Sequence, residues 1–108
     1  MNMITRRTAL LGLAAVPVAL AGAAQAATHN VSIKGFAFSP SSLTVAAGDT
    51  VVFTNEDSAP HTATAENGAF GTGTLRKGET ASFEVTTAGA FDYHCKFHPA
   101  MKATLVVE

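Results

Sequence analysis

The chain has 108 residues, of which 47% are hydrophobic and 14% charged, and its formal net charge is −1 at pH 7. This length allows one domain at most. Nucleic-acid binding needs a basic face, and seven Lys and Arg residues against eight Asp and Glu residues do not provide one. The single cysteine excludes an internal disulfide.

The first 26 residues have the pattern of an export signal. Arg6 and Arg7 precede a short apolar run, and Ala24-Gln25-Ala26 provides the small residues of a cleavage site. The apolar run is shorter than the roughly 20 residues that span a membrane, so cleavage is favoured over a membrane anchor. We therefore predict a signal peptide at residues 1–26 and a periplasmic domain at residues 27–108, with no stable membrane insertion after cleavage. The paired arginines give the signal some twin-arginine character without deciding its export route.

The exported part of the chain is mildly acidic. Residues 27–108 contain five Lys and Arg residues and eight Asp and Glu residues, a net charge of −3. Cys95 would be an unprotected thiol in an oxidising compartment. A bound metal would occupy that thiol, which favours a ligand role over that of an inert buried cysteine.

Short apolar runs separated by turn residues follow the predicted signal, and none has the periodicity of a long amphipathic helix. The strands predicted from these runs are Val31–Ile33, Leu43–Val45, Thr50–Thr54, Ala81–Val85, Ala90–Cys95 and Lys102–Val107. Gly68, Gly71 and Gly73 mark an irregular stretch in which no boundary is assigned. Seven or eight strands at this spacing predict an all-β, antiparallel sandwich.

Strand parity predicts which way the residues before the metal motif point. Alternate residues of a strand share a face, so Phe91, Tyr93 and Cys95 point one way and His94 points the other. The aromatic pair identifies the core face. We therefore expect Cys95 to leave its strand pointing inward, and we exclude His94 as a ligand. A second inward row is predicted on the last strand, at Ala103, Leu105 and Val107.

The strongest chemical signal is the spacing of Cys95, His98 and Met101, with His61 as an upstream partner. Alone, Met101 is more often core filler and His61 more often a surface residue. The four residues together supply a thiolate, two imidazoles and a weak axial thioether, which is the donor set of mononuclear blue copper. We predict one copper ion per chain and electron transfer as the function.

Several segments resemble the cupredoxin family of type I blue copper proteins, and within it the amicyanins most. The likeness is concentrated in Phe91–Cys95, His98-Pro99 and Leu105–Glu108, and it extends more loosely to Ala47–Val51 and Pro60-His61. The resemblance implies a Greek-key β-sandwich. It also implies that the equatorial copper ligands are His61, Cys95 and His98. The axial ligand that it implies is Met101.

Two residues depart from the amicyanin pattern. Phe97 replaces a proline before the second ligand histidine, which restores a backbone N–H able to donate to the Cys95 sulfur. Thr62 replaces an asparagine after the first ligand histidine, which leaves the link between the two ligand segments open.

Three functional classes remain to be weighed. An electron carrier needs one copper and one exposed ligand edge; we expect a monomer whose redox donor and acceptor dock transiently near His98. A periplasmic copper carrier or storage protein is the alternative, although such proteins favour Met-rich sites and residues 27–108 contain one Met. Four histidines are too few for a second, catalytic copper, so we predict that the protein is not an enzyme. Zinc would also fit such a donor set.

Overall fold

The computed structural model describes residues 26–108, so the predicted signal peptide lies outside the described residues except for Ala26. This part of the chain forms eight strands and no helix, and therefore contains no membrane-spanning helix. The strands are β1 (Thr28–Ile33), β2 (Phe38–Ser39), β3 (Ser42–Val45), β4 (Thr50–Asn55), β5 (Thr64–Ala65), β6 (Thr80–Glu84), β7 (Gly89–His94) and β8 (Lys102–Val107).

The strands form two four-stranded sheets packed as a sandwich. The order is β2-β1-β4-β6 in one sheet and β3-β8-β7-β5 in the other. This confirms the predicted all-β Greek-key sandwich of seven to eight strands.

The expectation that the sandwich is antiparallel throughout was wrong. Strand β1 pairs parallel with β4, and β3 pairs parallel with β8. Parallel neighbours need a crossover connection rather than a tight hairpin. Here the chain crosses to the other sheet at β3 before it returns at β4, so β1 and β4 run the same way. Spacing along the sequence predicts the strands but not these crossovers.

Alternating burial along the central strands builds the core between the sheets. In β4, Val51 and Phe53 are fully buried while their neighbours are partly exposed. The Phe53 ring meets the Tyr93 ring of the other sheet at 5.4 Å between centroids, in an edge-to-face arrangement. Each large side chain buried in this way contributes about 1.5–3 kcal/mol to folding.

The predicted strand parity is confirmed. Tyr93 and Cys95 are buried, Phe91 is half-buried against the core, and Asp92 between them is exposed. The inward row of β8 is buried as expected, at Ala103, Leu105 and Val107. Cys95 therefore enters the core at one end of the sandwich.

The loop between β7 and β8 is short and closed by its own backbone. The Cys95 N–H donates to the Met101 carbonyl at 3.1 Å, the His98 N–H to the Cys95 carbonyl at 3.2 Å, and the Met101 N–H to the His98 carbonyl at 2.9 Å. Because β7 and β8 also pair along their whole length, this loop is held firmly at both ends.

Candidate metal centre

The structure brings His61, Cys95 and His98 together at one end of the sandwich. The Cys95 Sγ lies 3.6 Å from the Nδ1 of His61 and 3.7 Å from the Nδ1 of His98, and the three ligand atoms all lie within 4.8 Å of one another. Metal bonds of about 2.0 Å to nitrogen and about 2.3 Å to sulfur, at trigonal angles, separate such atoms by about 3.7 Å. The three residues therefore fit one metal ion.

Met101 lies at the far end of the same loop. Its side chain is buried in the core cluster that also contains Cys95, and its backbone bonds to both Cys95 and His98. Burial in the same cluster as Cys95 is compatible with the weak thioether contact predicted for Met101. The axial role itself stays a prediction.

His61 is fixed on two sides. Its backbone exchanges two hydrogen bonds with Leu75, at 3.0 and 2.8 Å. Its side chain is fully buried, and its Nε2 lies 2.9 Å from the Asp57 Oδ2. A carboxylate on one ring nitrogen makes that nitrogen the donor and leaves the other nitrogen as the metal ligand. The hydrogen bond to Asp57 therefore selects Nδ1 as the ligand atom.

Asp57 is a site residue that the sequence analysis missed. The Phe36 backbone N–H, chiefly, holds the pKa of its carboxyl below the usual range, with smaller contributions from the Gly35 N–H and from His61, while desolvation opposes the shift. An acidic residue four positions before a ligand histidine was the available signal, but in a loop this spacing does not imply contact.

Thr62 makes the link that the sequence left open. Its N–H donates to the Cys95 Sγ at 3.4 Å, and its Oγ1 accepts the Lys96 N–H at 2.9 Å. The sequence raised the Phe97 N–H as a donor able to reach the sulfur; the donor that the structure shows is the Thr62 N–H. The Phe97 side chain instead points outward and is 51% exposed.

His98 and His94, the two histidines near Cys95 in the sequence, lie in different surroundings. His98 is half-buried, and its ring lies edge-on to that of His61, with 5.1 Å between centroids. His94 faces away from the ligand group, and its Nδ1 lies 3.7 Å from the Glu66 Oε2. His98 is thus the ligand candidate nearest to solvent, and His94 takes no part in the ligand group.

The donor set determines what the centre can do. A buried thiolate with two imidazoles suits Cu(I) and Cu(II), and it also accepts zinc. Within the described residues, the group of His61, Cys95 and His98 is the one cluster of three or more His, Cys, Asp or Glu side chains arranged to hold a metal. A redox or metal-carrying role is therefore the chemistry that this site supports.

A family model for the cupredoxin-like domain matches residues 7–107. The amicyanin of Paracoccus denitrificans is 35% identical over 83 residues, which cover 72% of this chain and 63% of that protein. The chain thus spans less than two thirds of the length of that relative.

Solved structures agree with the family match. A reduced amicyanin variant with a tryptophan replaced by tyrosine has a TM-score of 0.70 and 31% identity, over 75% of this chain and 82% of that chain. A copper-containing nitrite reductase from Thermus scotoductus SA-01 has a TM-score of 0.71 and 30% identity, over 75% of this chain but only 22% of the reductase.

Proposed function

This chain belongs to the cupredoxin-like family, and we propose that it is a type I blue copper protein that passes single electrons between redox partners. The observation that supports this most directly is the convergence of two imidazole Nδ1 atoms on the buried Cys95 sulfur. The ligands in this proposal are His61, Cys95 and His98, with Met101 as the weak axial donor.

The chain contributes rigidity to this chemistry. A copper ion held by these residues would supply the one-electron chemistry between Cu(I) and Cu(II), which is fast when the ligands move little. Cys95 is held by the Thr62 N–H, His61 by Asp57 and Leu75, and the loop to Met101 by its own backbone hydrogen bonds. Each ligand segment is thus fixed by groups that do not themselves bind the metal.

The surface around His98 suits brief docking. Among residues 26–108, the exposed large hydrophobic side chains are Phe36 and Phe97. The Phe36 ring meets the ring of His98, and Phe97 directly precedes His98 in the chain. A partner docked here would approach the copper through the half-buried His98 ring. Weak redox encounters use small interfaces of this kind, so we propose a monomer that meets its donor and acceptor transiently.

We place this function in the periplasm. The export signal predicted at residues 1–26 supports this, and cleavage after Ala26 would release a domain that begins just before β1. The similarity to amicyanin supports the electron-carrier role, while its partners are not transferred to this chain.

The alternative is a copper carrier or storage protein. It would use the same ligands but release copper readily. Burial of Cys95 and His61, together with the closed loop, favours retention over release. The nitrite reductase shares this fold over only 22% of its chain, and the similarity to the amicyanins supports our proposal of an electron carrier rather than an enzyme.

Copper titration followed by voltammetry tests the proposal. We expect the exported domain to bind one copper per chain and to give a reversible one-electron couple without metal loss. A protein that loses copper on each reduction would support the carrier function instead.

A further inference from the structure

The turn between β1 and β2 holds an aromatic residue in a disfavoured conformation. Lys34 and Ala37 exchange two backbone hydrogen bonds, at 3.0 and 3.2 Å, around Gly35 and Phe36. Both central residues have positive φ, 62° and 58°. Glycine adopts this region at no cost, whereas a side chain as large as that of Phe36 does so rarely. Such strain persists only where the surroundings impose it.

The Asp57 carboxylate stabilises this conformation through two hydrogen bonds. Its Oδ1 accepts the Gly35 N–H at 2.8 Å, and its Oδ2 accepts the Phe36 N–H at 2.9 Å. The same Oδ2 lies 2.9 Å from the Nε2 of His61. The Asp57 N–H in turn donates to the Oδ1 of the buried Asn55, at 2.8 Å. One carboxylate therefore couples the strained turn to a ligand candidate.

The turn places the Phe36 ring over both ligand imidazoles. The ring lies edge-on to His61, with 5.1 Å between centroids, and edge-on to His98, with 4.8 Å. Phe36 nevertheless remains 52% exposed. Because half of its surface stays in water and its backbone is strained, burial of the Phe36 side chain adds little to the stability of the fold. Its contacts with the two imidazoles therefore point to a role at the metal site.

We propose that Phe36 is an aromatic cover that limits access to the copper site from the side of the two imidazoles, and that Asp57 is the positioning residue that holds both the cover and His61. This inference rests on the proposed copper site. It assigns to the β1–β2 turn, which contains no ligand, a part in retaining the metal.

Transfer of Cu(I) from the reduced protein to a chelator such as bicinchoninate tests the cover. Phe36→Asn removes the ring while keeping a residue that tolerates positive φ. We expect it to release copper about tenfold faster than wild type, the scale on which outer groups alter metal affinity. Phe97→Ala is the matched control, since Phe97 is equally exposed and adjoins His98; its release rate should stay at the wild-type value. The proposed role of Phe36 would be overturned if Phe36→Asn released copper at the wild-type rate, or if Phe97→Ala accelerated copper release equally.

The reduction potential tests the positioning role of Asp57. Asp57→Asn removes a negative charge hydrogen-bonded to His61, so Cu(II) should be destabilised and the potential should rise. Glu56→Gln is the control, because its carboxylate accepts the Ser32 hydroxyl at 2.8 Å instead of contacting a ligand. An equal rise of the reduction potential in both variants would show that Asp57 acts only through its charge at a distance, and would overturn the assignment. A wild-type protein that binds no copper would instead refute the proposed function.

A separate observation concerns the opposite end of β4. The Ala27 N–H donates to the Oδ1 of Asp49 at 3.0 Å, and the Asp49 side chain is only 9% exposed. The Asp49 Oδ2 meanwhile accepts the Ala46 N–H at 3.0 Å and lies 2.9 Å from the His29 Nε2. Cleavage after Ala26 would turn the Ala27 amide into an ammonium group at this carboxylate.

We infer that signal removal creates an ion pair between the new N-terminus and Asp49 that anchors β1 and makes the processed domain more stable than its precursor. Charge-assisted hydrogen bonds are stronger than neutral ones. The inference rests on the proposed cleavage site, which N-terminal sequencing of the exported protein checks independently.

Two metal-free domains that differ by one residue test the ion pair. A chain beginning at Ala27 should unfold at a higher urea concentration than one beginning at Ala26, and Asp49→Asn should abolish the difference. Equal midpoints for the two chains, or a difference that survives Asp49→Asn, would overturn the inference.

Discussion

The backbone N–H of Lys96 donates to the hydroxyl of Thr62 over 2.9 Å. Thr62 directly follows His61 and Lys96 directly follows Cys95, so this hydrogen bond joins the two ligand segments. Thr62 also donates its own N–H to the Cys95 sulfur at 3.4 Å. A hydroxyl therefore links the two ligand segments in this chain.

Thr62→Val should loosen this link with little change in shape. The partly buried Lys96 N–H would lose its acceptor, and the net contribution of one such hydrogen bond is about 0.5–1.5 kcal/mol. We expect the free energy of unfolding of the metal-free domain to fall by about that amount in urea denaturation. Thr64→Val is the control, because the Thr64 hydroxyl bonds only to that of Thr62. If the free energy of unfolding falls equally in both variants, the hydrogen bond from Lys96 to Thr62 does not contribute to stability as predicted.

Met101→Leu should keep the blue colour and raise the reduction potential. Loss of a weak axial sulfur donor disfavours Cu(II), and Leu replaces Met in a core at a cost usually below about 1.5 kcal/mol. Voltammetry and visible spectroscopy of the copper-loaded variant measure both effects. An unchanged potential would show that Met101 is core filler rather than a ligand.

Acid should lower the folding stability of the domain by protonating Asp49, which lies at the opposite end of β4 from the candidate metal centre. Hydrogen bonds from the Ala27 and Ala46 N–H groups, followed by that of His29, lower the pKa of Asp49 from 3.8 to about 2. A lowered folded-state pKa stabilises the fold above the unfolded value, and this contribution disappears as pH falls from about 4 to about 2. Urea midpoints of the metal-free domain across this range should fall accordingly.

The Asp49→Asn variant isolates this acid effect. It should be less stable than wild type near neutral pH and should lose less stability between about pH 4 and pH 2. Asp92→Asn serves as the control, since the carboxylate of exposed Asp92 accepts a hydrogen bond from the Thr104 hydroxyl and from no backbone N–H of the described residues. Parallel acid profiles for wild type and Asp49→Asn would contradict the assignment.

Processing should release a domain that starts at Ala27. N-terminal sequencing of the protein from the periplasmic fraction measures this directly. Recovery of the intact chain from the membrane fraction would contradict cleavage and would favour an anchored carrier.

The sequence predicted the inward-facing residues well because strand parity is local. The alternation of Phe91, Tyr93 and Cys95 needs only the pleat of one strand; Tyr93 and Cys95 are buried and Phe91 is half-buried against the core, as this alternation predicts. The two-residue strands β2 and β5 were missed because two residues have no periodicity. Parallel pairing was also missed, since it depends on where the chain crosses between sheets.

The candidate ligands were predictable because three of them share one loop at fixed spacing. Asp57, Phe36 and the Lys96 to Thr62 bond were not, because each joins segments that are distant in sequence or lie in an irregular loop. Gly35 and Phe36 reach Asp57 across 22 and 21 residues, respectively. No pattern within a single segment could indicate that contact.

The visible absorption spectrum of the oxidised, copper-loaded domain tests the central claim most directly. A short bond between the Cys95 thiolate and Cu(II) should give an intense blue charge-transfer band at one copper per chain, and Cys95→Ser should abolish that band. A wild-type protein that stays colourless after copper loading and oxidation, or a Cys95→Ser variant that remains blue, would contradict the account.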